Sequence, residues 1–271
     1  MRKQHPPDAI GWKCLARAVS DVAAMGGVPR CFLLSLALPS SHTGRWLDQF
    51  LGGLRRASRR FGCTLAGGDT TRQERILINV SVVGEVRAGR AIVRSGARPD
   101  DLIYVSGRLG EAELGLRLLR SGKVKTDEKD PCVKKHLYPE PRLRLGHWLA
   151  ENRIATAMMD LSDGLSSDLP RLCAASGVGA RIEETKLPVV KLPARFARGG
   201  VDPLKLALDG GDDYELLFTV PKGKGRLVPG SLEGVNLTRI GEVTRKKKII
   251  LGQVGGLTRK LMPRGWDPFR S

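Results

Sequence analysis

The stretch Thr156-Ala157-Met158-Met159-Asp160-Leu161-Ser162-Asp163-Gly164 sets the layer architecture of the chain. Residues 156–159 read as a short strand, with apolar Met158-Met159 leading into Asp160 at its carboxyl end. A helix is predicted from there to about Ala175, closed by Gly177, with Pro170 inside it to kink it or delay its start. A strand that feeds a helix is the building unit of an α/β layer, and ligands collect at the carboxyl ends of such strands. The helix N-terminus beside Asp160 and Asp163 favours anions. Ser162 has the plainer reading of a helix N-cap. Two acids at a phosphate-favouring position, in a chain of formal charge +18, make sense with Mg²⁺ between them. That ion takes one or two carboxylates plus phosphate oxygens and waters.

Outward from this junction, strands and helices keep alternating. Upstream, Pro6-Pro7-Asp8 predicts a helix start with Asp8 as N-cap, and Gly26-Gly27 with Pro29 predicts its stop. Residues 31–38 read as a buried strand and 46–61 as an amphipathic helix. Residues 62–66 read as a short strand that ends at Gly67-Gly68-Asp69-Thr70-Thr71, and 75–86 alternate as a half-buried strand does. The polar run 94–101 reads as a connector and divides the chain into 1–97 and 98–271. Beyond it come a strand at 102–106, a helix at 111–120, a charged loop at 121–130, a helix at 142–152, and strands at 214–220 and 237–243. The fold class is α/β (α+β) with two domains.

Other acids occupy special places, each with a bland alternative. Asp21 lies in a predicted helix of small and apolar residues, where Asp is a poor choice; it either faces a cavity or marks an exposed turn. Asp69 follows two glycines, as a metal-binding carboxylate beside an open backbone or as a turn residue bonding its own main chain. Asp212 and Asp213 follow Gly210-Gly211, again a turn at the least. Arg94 either reaches a phosphate or is a solvated linker charge. Ser20-Asp21 precedes Asp69 much as Ser162-Asp163 precedes Asp212, with 48 and 49 positions from acid to acid. A duplicated half or a coincidence of Gly-rich motifs explains this equally well.

Composition excludes several function classes. The basic balance suits a polyanionic partner, either nucleic acid or a phosphorylated small molecule. Aromatic residues make only 5%, which argues against a base-stacking platform. Arg55, Arg56, Arg59 and Arg60, and the run Lys246-Lys247-Lys248, read as solvated faces, the latter at a hairpin or loop tip. The five cysteines are scattered and never spaced CxxC, and the four histidines lack ligand spacing. A reduced cytoplasmic protein without a zinc site or disulfides is expected. No apolar run suits a membrane span, and the N-terminus lacks a signal-peptide pattern.

Taken in order, the motifs become specific. Gly11-Trp12-Lys13 through Ser20-Asp21-Val22-Ala23-Ala24-Met25-Gly26, Gly67-Gly68-Asp69-Thr70-Thr71-Arg72, Arg94-Ser95-Gly96-Ala97 and Tyr104-Val105-Ser106-Gly107 come first. Met159 to Leu165, Gly210-Gly211-Asp212-Asp213-Tyr214-Glu215-Leu216 and Gly265-Trp266-Asp267-Pro268-Phe269 follow. From about residue 5 onward the chain resembles the thiamine-monophosphate kinases of the AIR-synthase-like superfamily.

The resemblance implies a two-domain AIR-synthase-like fold that dimerises through its N-terminal strands. It implies transfer of phosphate from ATP to thiamine monophosphate, giving thiamine diphosphate, directly in line, with several Mg²⁺ ions and no phosphoenzyme. By motif match, Asp21, Asp69, Asp160 and Asp163 would be magnesium ligands. Gly68, Asp69, Arg94 and Ser162 would contact ATP. Asp212 and Trp266 would contact thiamine monophosphate, with Trp266 stacking on an aromatic ring.

The chain departs from the family pattern in places. Family members open with a segment bearing Gly-Asp-Asp, Ser/Thr-Thr-Asp and His-Phe stretches, which is expected to be missing ahead of this sequence. Asp212 stands for the usual Glu, Pro268 for the usual His, and Pro170 falls inside a helix. Two other functions compete: a superfamily enzyme with a different acceptor, and a non-catalytic nucleotide- or nucleic-acid-binding protein, whose nucleic-acid binding would weaken steeply with salt.

Overall fold

The structure is a computed structural model and describes residues 5–122, 130–192, 200–267 and 269. Helix α1 (Pro7–Ala24) begins on a proline, which has no amide hydrogen to leave unpaired. Gly26 closes it at φ 72°, and the amides of Gly26 and Gly27 bond back to Ala23 and Val22. Strand β1 (Val28–Leu38), helix α2 (Arg45–Phe61), and strands β2 (Thr64–Arg72) and β3 (Leu77–Glu85) follow. The three strands form a sheet of order β2-β1-β3, with β2 parallel and β3 antiparallel to β1. Both helices contribute to one core with the sheet, filled by Leu15, Val19, Phe32, Leu34, Phe50 and Leu54.

Two glycines set how closely the helices cross. A Cβ on Gly53 would lie 1.9 Å from the Asp8 carbonyl oxygen, and one on Gly11 would lie 2.0 Å from that of Phe50. The obstacle is backbone, which cannot rotate away. Gly53→Ala is therefore expected to lower stability by about 2 kcal/mol or more, read from the midpoint of urea unfolding. An unchanged midpoint would contradict the close crossing.

The second sheet contains β4 (Leu102–Ser106), β5 (Ala157–Asp160), β6 (Gly179–Glu183), β7 (Leu216–Val220), β8 (Ser231–Leu232), β9 (Val235–Thr244), β10 (Ile249–Gly252) and β11 (Thr258–Lys260). Helices α3 (Glu111–Arg120), α4 (Pro131–Leu137), α5 (Leu143–Glu151), α6 (Leu165–Ser176) and α7 (Pro203–Asp209) accompany it. The strand order is β11-β10-β6-β9-β4-β7-β5, with β8 paired to β9. Ile103 and Val105 of β4 enter one core with Met159 and Leu169, while Leu102 and Tyr104 enter another with Leu149 and Phe218. A strand buried on both faces has no polar side, which is why 102–105 is apolar throughout, ahead of Ser106, whose hydroxyl donates to buried Glu215.

Several expected features differ in detail. Asp8 is not the N-cap of α1; it sits in the first turn and accepts hydrogen bonds from Arg56 and the Tyr138 hydroxyl. Strand β1 is buried on one face only: Phe32, Leu34 and Leu36 point inward, while Leu33 and Ser35 point out. Its apolar outer residues made it look wholly buried. The pair Gly67-Gly68 lies within β2 rather than past its end. Gly68, at φ 148°, has no room for a Cβ, which would meet the Leu34 carbonyl oxygen at 1.9 Å.

Helix α6 starts at Leu165 and runs past Pro170 without delay. The lysine run 246–248 is exposed, yet it joins β9 to β10 across β6 and so is no hairpin. The strand expected at 214–220 starts only at Leu216. In the expected charged loop, residues 123–129 lie outside the described residues, as does Pro268. Among the described residues, no helix is long and apolar enough to cross a membrane.

Candidate active site

Two loops meet at the carboxyl end of β5. Leu161 donates its amide to the Glu215 carbonyl (2.8 Å), Tyr214 to that of Leu161 (2.9 Å), and Asp212 to that of Ser162 (2.8 Å). This ladder holds Asp212 at φ 67° and Tyr214 at φ 49°, a costly region for residues with a Cβ. The resulting turn sends neighbouring acids opposite ways. Asp213 is buried and accepts the amides of Gly110 (2.6 Å) and Ala112 (3.0 Å) at the start of α3. Burial pushes its pKa up to about 7 against those bonds. Asp212 lines a cavity instead.

Helix α1 carries Lys13, Arg17 and Asp21 at steps of four residues, one above the other on a helix face, and Arg17 lines this cavity. Lys13 Nζ lies 2.8 Å from Asp212, and the Tyr214 hydroxyl donates to the same carboxylate at 2.7 Å. Burial works to raise the Asp212 pKa, but Lys13 and Tyr214 outweigh it and hold it at about 2. Burial lowers the Lys13 pKa despite Asp212. Beside Lys13, His136 is driven down to about 3, first by burial and then by the lysine charge.

One turn further along α1, Ser20 is buried and donates to Asp160 at 2.7 Å. Asp160 is 4% exposed, and burial raises its pKa to about 6 against the Ser20 bond, with the Asp21 charge adding to the rise. Asp21 meets solvent on an unbroken helix, so neither an exposed turn nor a break at Ser20 occurs. Even so, its crowded setting raises its pKa by desolvation, against Arg94 and Arg17.

Ser162 does not cap α6, whose N-cap is Gly164. The loop amides of Ser162 and Asp163 are instead held by Asp168, at 3.1 and 3.0 Å. Arg171 clamps Asp163 and Asp168 together. Burial lifts Asp168 to about 6. The Trp266 amide donates to the Asp163 carbonyl at 3.0 Å, and Gly265 leaves room for that approach. Trp266 is 60% exposed, with its ring open to incoming molecules.

The cavity between these parts is about 530 Å³. Arg17, Ser162, Asp163, Asp212, Tyr214 and Trp266 line it, with Arg120 and Arg264. It thus unites members of the three expected site groups: Asp163 of the metal group, Ser162 of the ATP group, and Asp212 and Trp266 of the acceptor group. Asp160, Asp21 and Arg94 are outside this lining; the Asp160 charge acts on Tyr214, and those of Asp21 and Arg94 act on Asp160. Gly68 and Asp69 lie on β2, exposed, and Asp69 accepts the Thr70 amide at 2.9 Å. Neither Gly68 nor Asp69 is among the residues that line the cavity. The Ser-Asp and Gly-Gly-Asp pairs also sit in unlike surroundings, helix and strand in one half, loops in the other.

Among the described residues, no three His, Cys, Asp or Glu side chains converge as a ready metal cage. The described cysteines are all free thiols. Sequence reading passed over Lys13, Arg17, His136, Tyr214 and Asp168 as site residues. For Lys13, Arg17 and Asp21 a signal existed, the four-residue spacing. For the others, the partners are set by long-range packing that no local pattern reports.

Comparison with known proteins agrees with this geometry. The family described as AIR synthase related protein, N-terminal domain, matches residues 1–86, and its C-terminal domain matches residues 98–252. The thiamine-monophosphate kinase of Aquifex aeolicus is 36% identical over 272 aligned positions, covering 98% of this chain and 83% of that protein. That of Salmonella typhimurium is 40% identical, covering 88% and 73%. The solved structure described as AaThiL complexed with AMPPCP and TMP superposes with a TM-score of 0.86 at 35% identity, covering 98% of this chain and 82% of that one. A hydrogenase maturation protein shares the fold at 21% identity and a TM-score of 0.79. On these matches, the chain belongs to the thiamine-monophosphate kinase family.

Proposed function

We propose that this chain transfers the γ-phosphoryl group of ATP to thiamine monophosphate, giving thiamine diphosphate and ADP, at the cavity between α1 and the 160–163 and 210–215 loops. The observation that carries this reading is the convergence of Trp266, Asp212 and Asp163 on one cavity of about 530 Å³. It is supported by the relatives' shared activity and by a homologue whose structure is described with AMPPCP and TMP.

An oxygen of the acceptor phosphate attacks the γ-phosphorus as the bond to the β,γ-bridging oxygen breaks, and ADP departs with that electron pair. Such transfers depend on positioning and charge neutralisation more than on covalent help. In our reading, Trp266 stacks on a thiamine ring, and Asp212, fixed by Lys13 and Tyr214, contacts the thiamine end. Ser162, Arg94, Gly68 and Asp69 contact ATP.

The donor chemistry at Asp160 and Asp21 fits Mg²⁺. Both are hard oxygen donors, each is driven toward its neutral form by its setting, and the charge of Asp21 bears on Asp160. With Asp163 and Asp69 they would hold several Mg²⁺ ions between them, and these would neutralise the phosphate charge. The division into 1–97 and 98–271, a cytoplasmic location and a homodimer complete the proposal. The dimer is supported by the outer sheet face, where Leu33, Leu65, Leu77 and Val83 are exposed.

The acceptor is tested by offering ATP and Mg²⁺ with thiamine monophosphate, free thiamine, formate or aminoimidazole precursors, and identifying products by phosphorus NMR. A new diphosphate signal with thiamine monophosphate alone is expected. Turnover with another acceptor and none with thiamine monophosphate would replace the reading by a superfamily enzyme of different specificity.

A further inference from the structure

The row Lys13, Arg17, Asp21 on α1 has a function for its middle member. Each step of four residues rises about 6 Å, so the row spans about 12 Å along the helix axis. At one end Lys13 is bonded to Asp212. At the other, Ser20 and Asp21 address Asp160. The acceptor-binding and metal-binding ends of the proposed site are therefore tied to the same rigid helix, and Arg17 stands between them.

Arg17 lines the cavity facing Ser162, Asp163, Asp212 and Tyr214. Its charge is felt at Asp212, Asp163 and Asp21, yet it forms no close ion pair with any of them among the described residues. Nearby cations are committed: Lys13 to Asp212, and Arg171 to Asp163 and Asp168. Arg120 and Arg264 line the same cavity from α3 and the C-terminal segment, but neither stands on the helix that links both ends. An arginine side chain with its fork unpaired, aimed into a cavity between carboxylates, is suited to phosphate oxygens that arrive with the substrates.

We propose that Arg17 is a further catalytic residue, its guanidinium gripping the equatorial oxygens of the phosphoryl group as it passes from ATP to thiamine monophosphate. This rests on the phosphotransfer reading above. The group Arg17 holds during transfer becomes the terminal phosphate of thiamine diphosphate. Arg17 must therefore discriminate product from acceptor, which a general attraction of the basic cavity for phosphate does not require.

The test uses the full chain with Mg²⁺ and compares wild type, Arg17→Gln and Arg17→Lys. Calorimetry measures the affinity for thiamine monophosphate and for thiamine diphosphate. Arg17→Gln is expected to weaken thiamine diphosphate binding roughly 10-fold or more while changing thiamine monophosphate binding by less than about 3-fold. Arg17→Lys should fall between, because an ammonium keeps the charge and loses the fork. In turnover, kcat should drop by about 100-fold in Arg17→Gln, with the thiamine monophosphate KM nearly unchanged. Arg17 is exposed and lacks a structural partner, so thermal unfolding should not move. Equal weakening of both ligands, or of neither, would overturn the role of Arg17 alone. Wild-type chain that binds neither thiamine phosphate would instead overturn the phosphotransfer reading, and this inference with it.

Discussion

Asp160→Asn is expected to yield a chain that is more stable than the native one above pH 6 and has lost phosphate transfer. The two effects share one cause. Asp160 is almost fully buried, and its burial raises the pKa from 3.8 to about 6. A carboxylate with a raised folded-state pKa costs nothing below its unfolded value, because it is protonated in both states. The cost grows as pH rises from about 4 and is complete above about 6, where it reaches about 3 kcal/mol in metal-free solution.

Asparagine removes that charge and can still accept the Ser20 hydroxyl. The unfolding midpoint in urea, with a chelator present, should therefore rise above that of wild type at pH 8 and converge with it at pH 4. Turnover with ATP and Mg²⁺ should fall roughly 10³-fold, since a carboxylate that neutralises phosphate charge has no neutral substitute. Residues kept at a cost in stability mark working sites. Near-normal turnover in this variant would remove Asp160 from the chemistry.

The second large effect is structural. Glu215 is fully buried and accepts from Lys135, from Nε and Nη2 of Arg142, and from the Ser106 hydroxyl (2.5 Å). Burial works to raise its pKa, but the two cations outweigh this and hold it at about 2. Glu215→Ala strands two largely buried cations, and a loss of about 3–5 kcal/mol is expected in urea unfolding at pH 7. The sign with pH follows from the lowered pKa. The stabilisation is fully present above the unfolded value near 4.5 and drains away as pH falls toward 2. The native chain should thus lose stability through that window, whereas Glu215→Ala should lose much less there. A variant as stable as the parent would show that the cluster contributes nothing.

Much of this was legible in the sequence, for physical reasons. Residues 102–105 and 157–159 are unbroken apolar runs because β4 and β5 are buried on both faces. The alternation of 75–86 reports a sheet with one open face, as β3 shows. Strand β1 misled because its outer face is also partly apolar, with Leu33 exposed at 47%. Asp160 was legible from its place at a strand end, and Asp212 from its glycines. The Lys13–Asp212 pair joins residues 199 positions apart, and Asp168 reads locally as an ordinary first-turn acid. Such partners are chosen by the packed fold, which no window of sequence contains.

The most direct measurement is ADP release by the purified 271-residue chain with Mg²⁺ and ATP, with and without thiamine monophosphate. Release that appears only with thiamine monophosphate, and stops when Mg²⁺ is chelated, is the expected result. ADP release indifferent to thiamine monophosphate, or none in its presence while ATP still binds, would contradict the proposed activity of this chain.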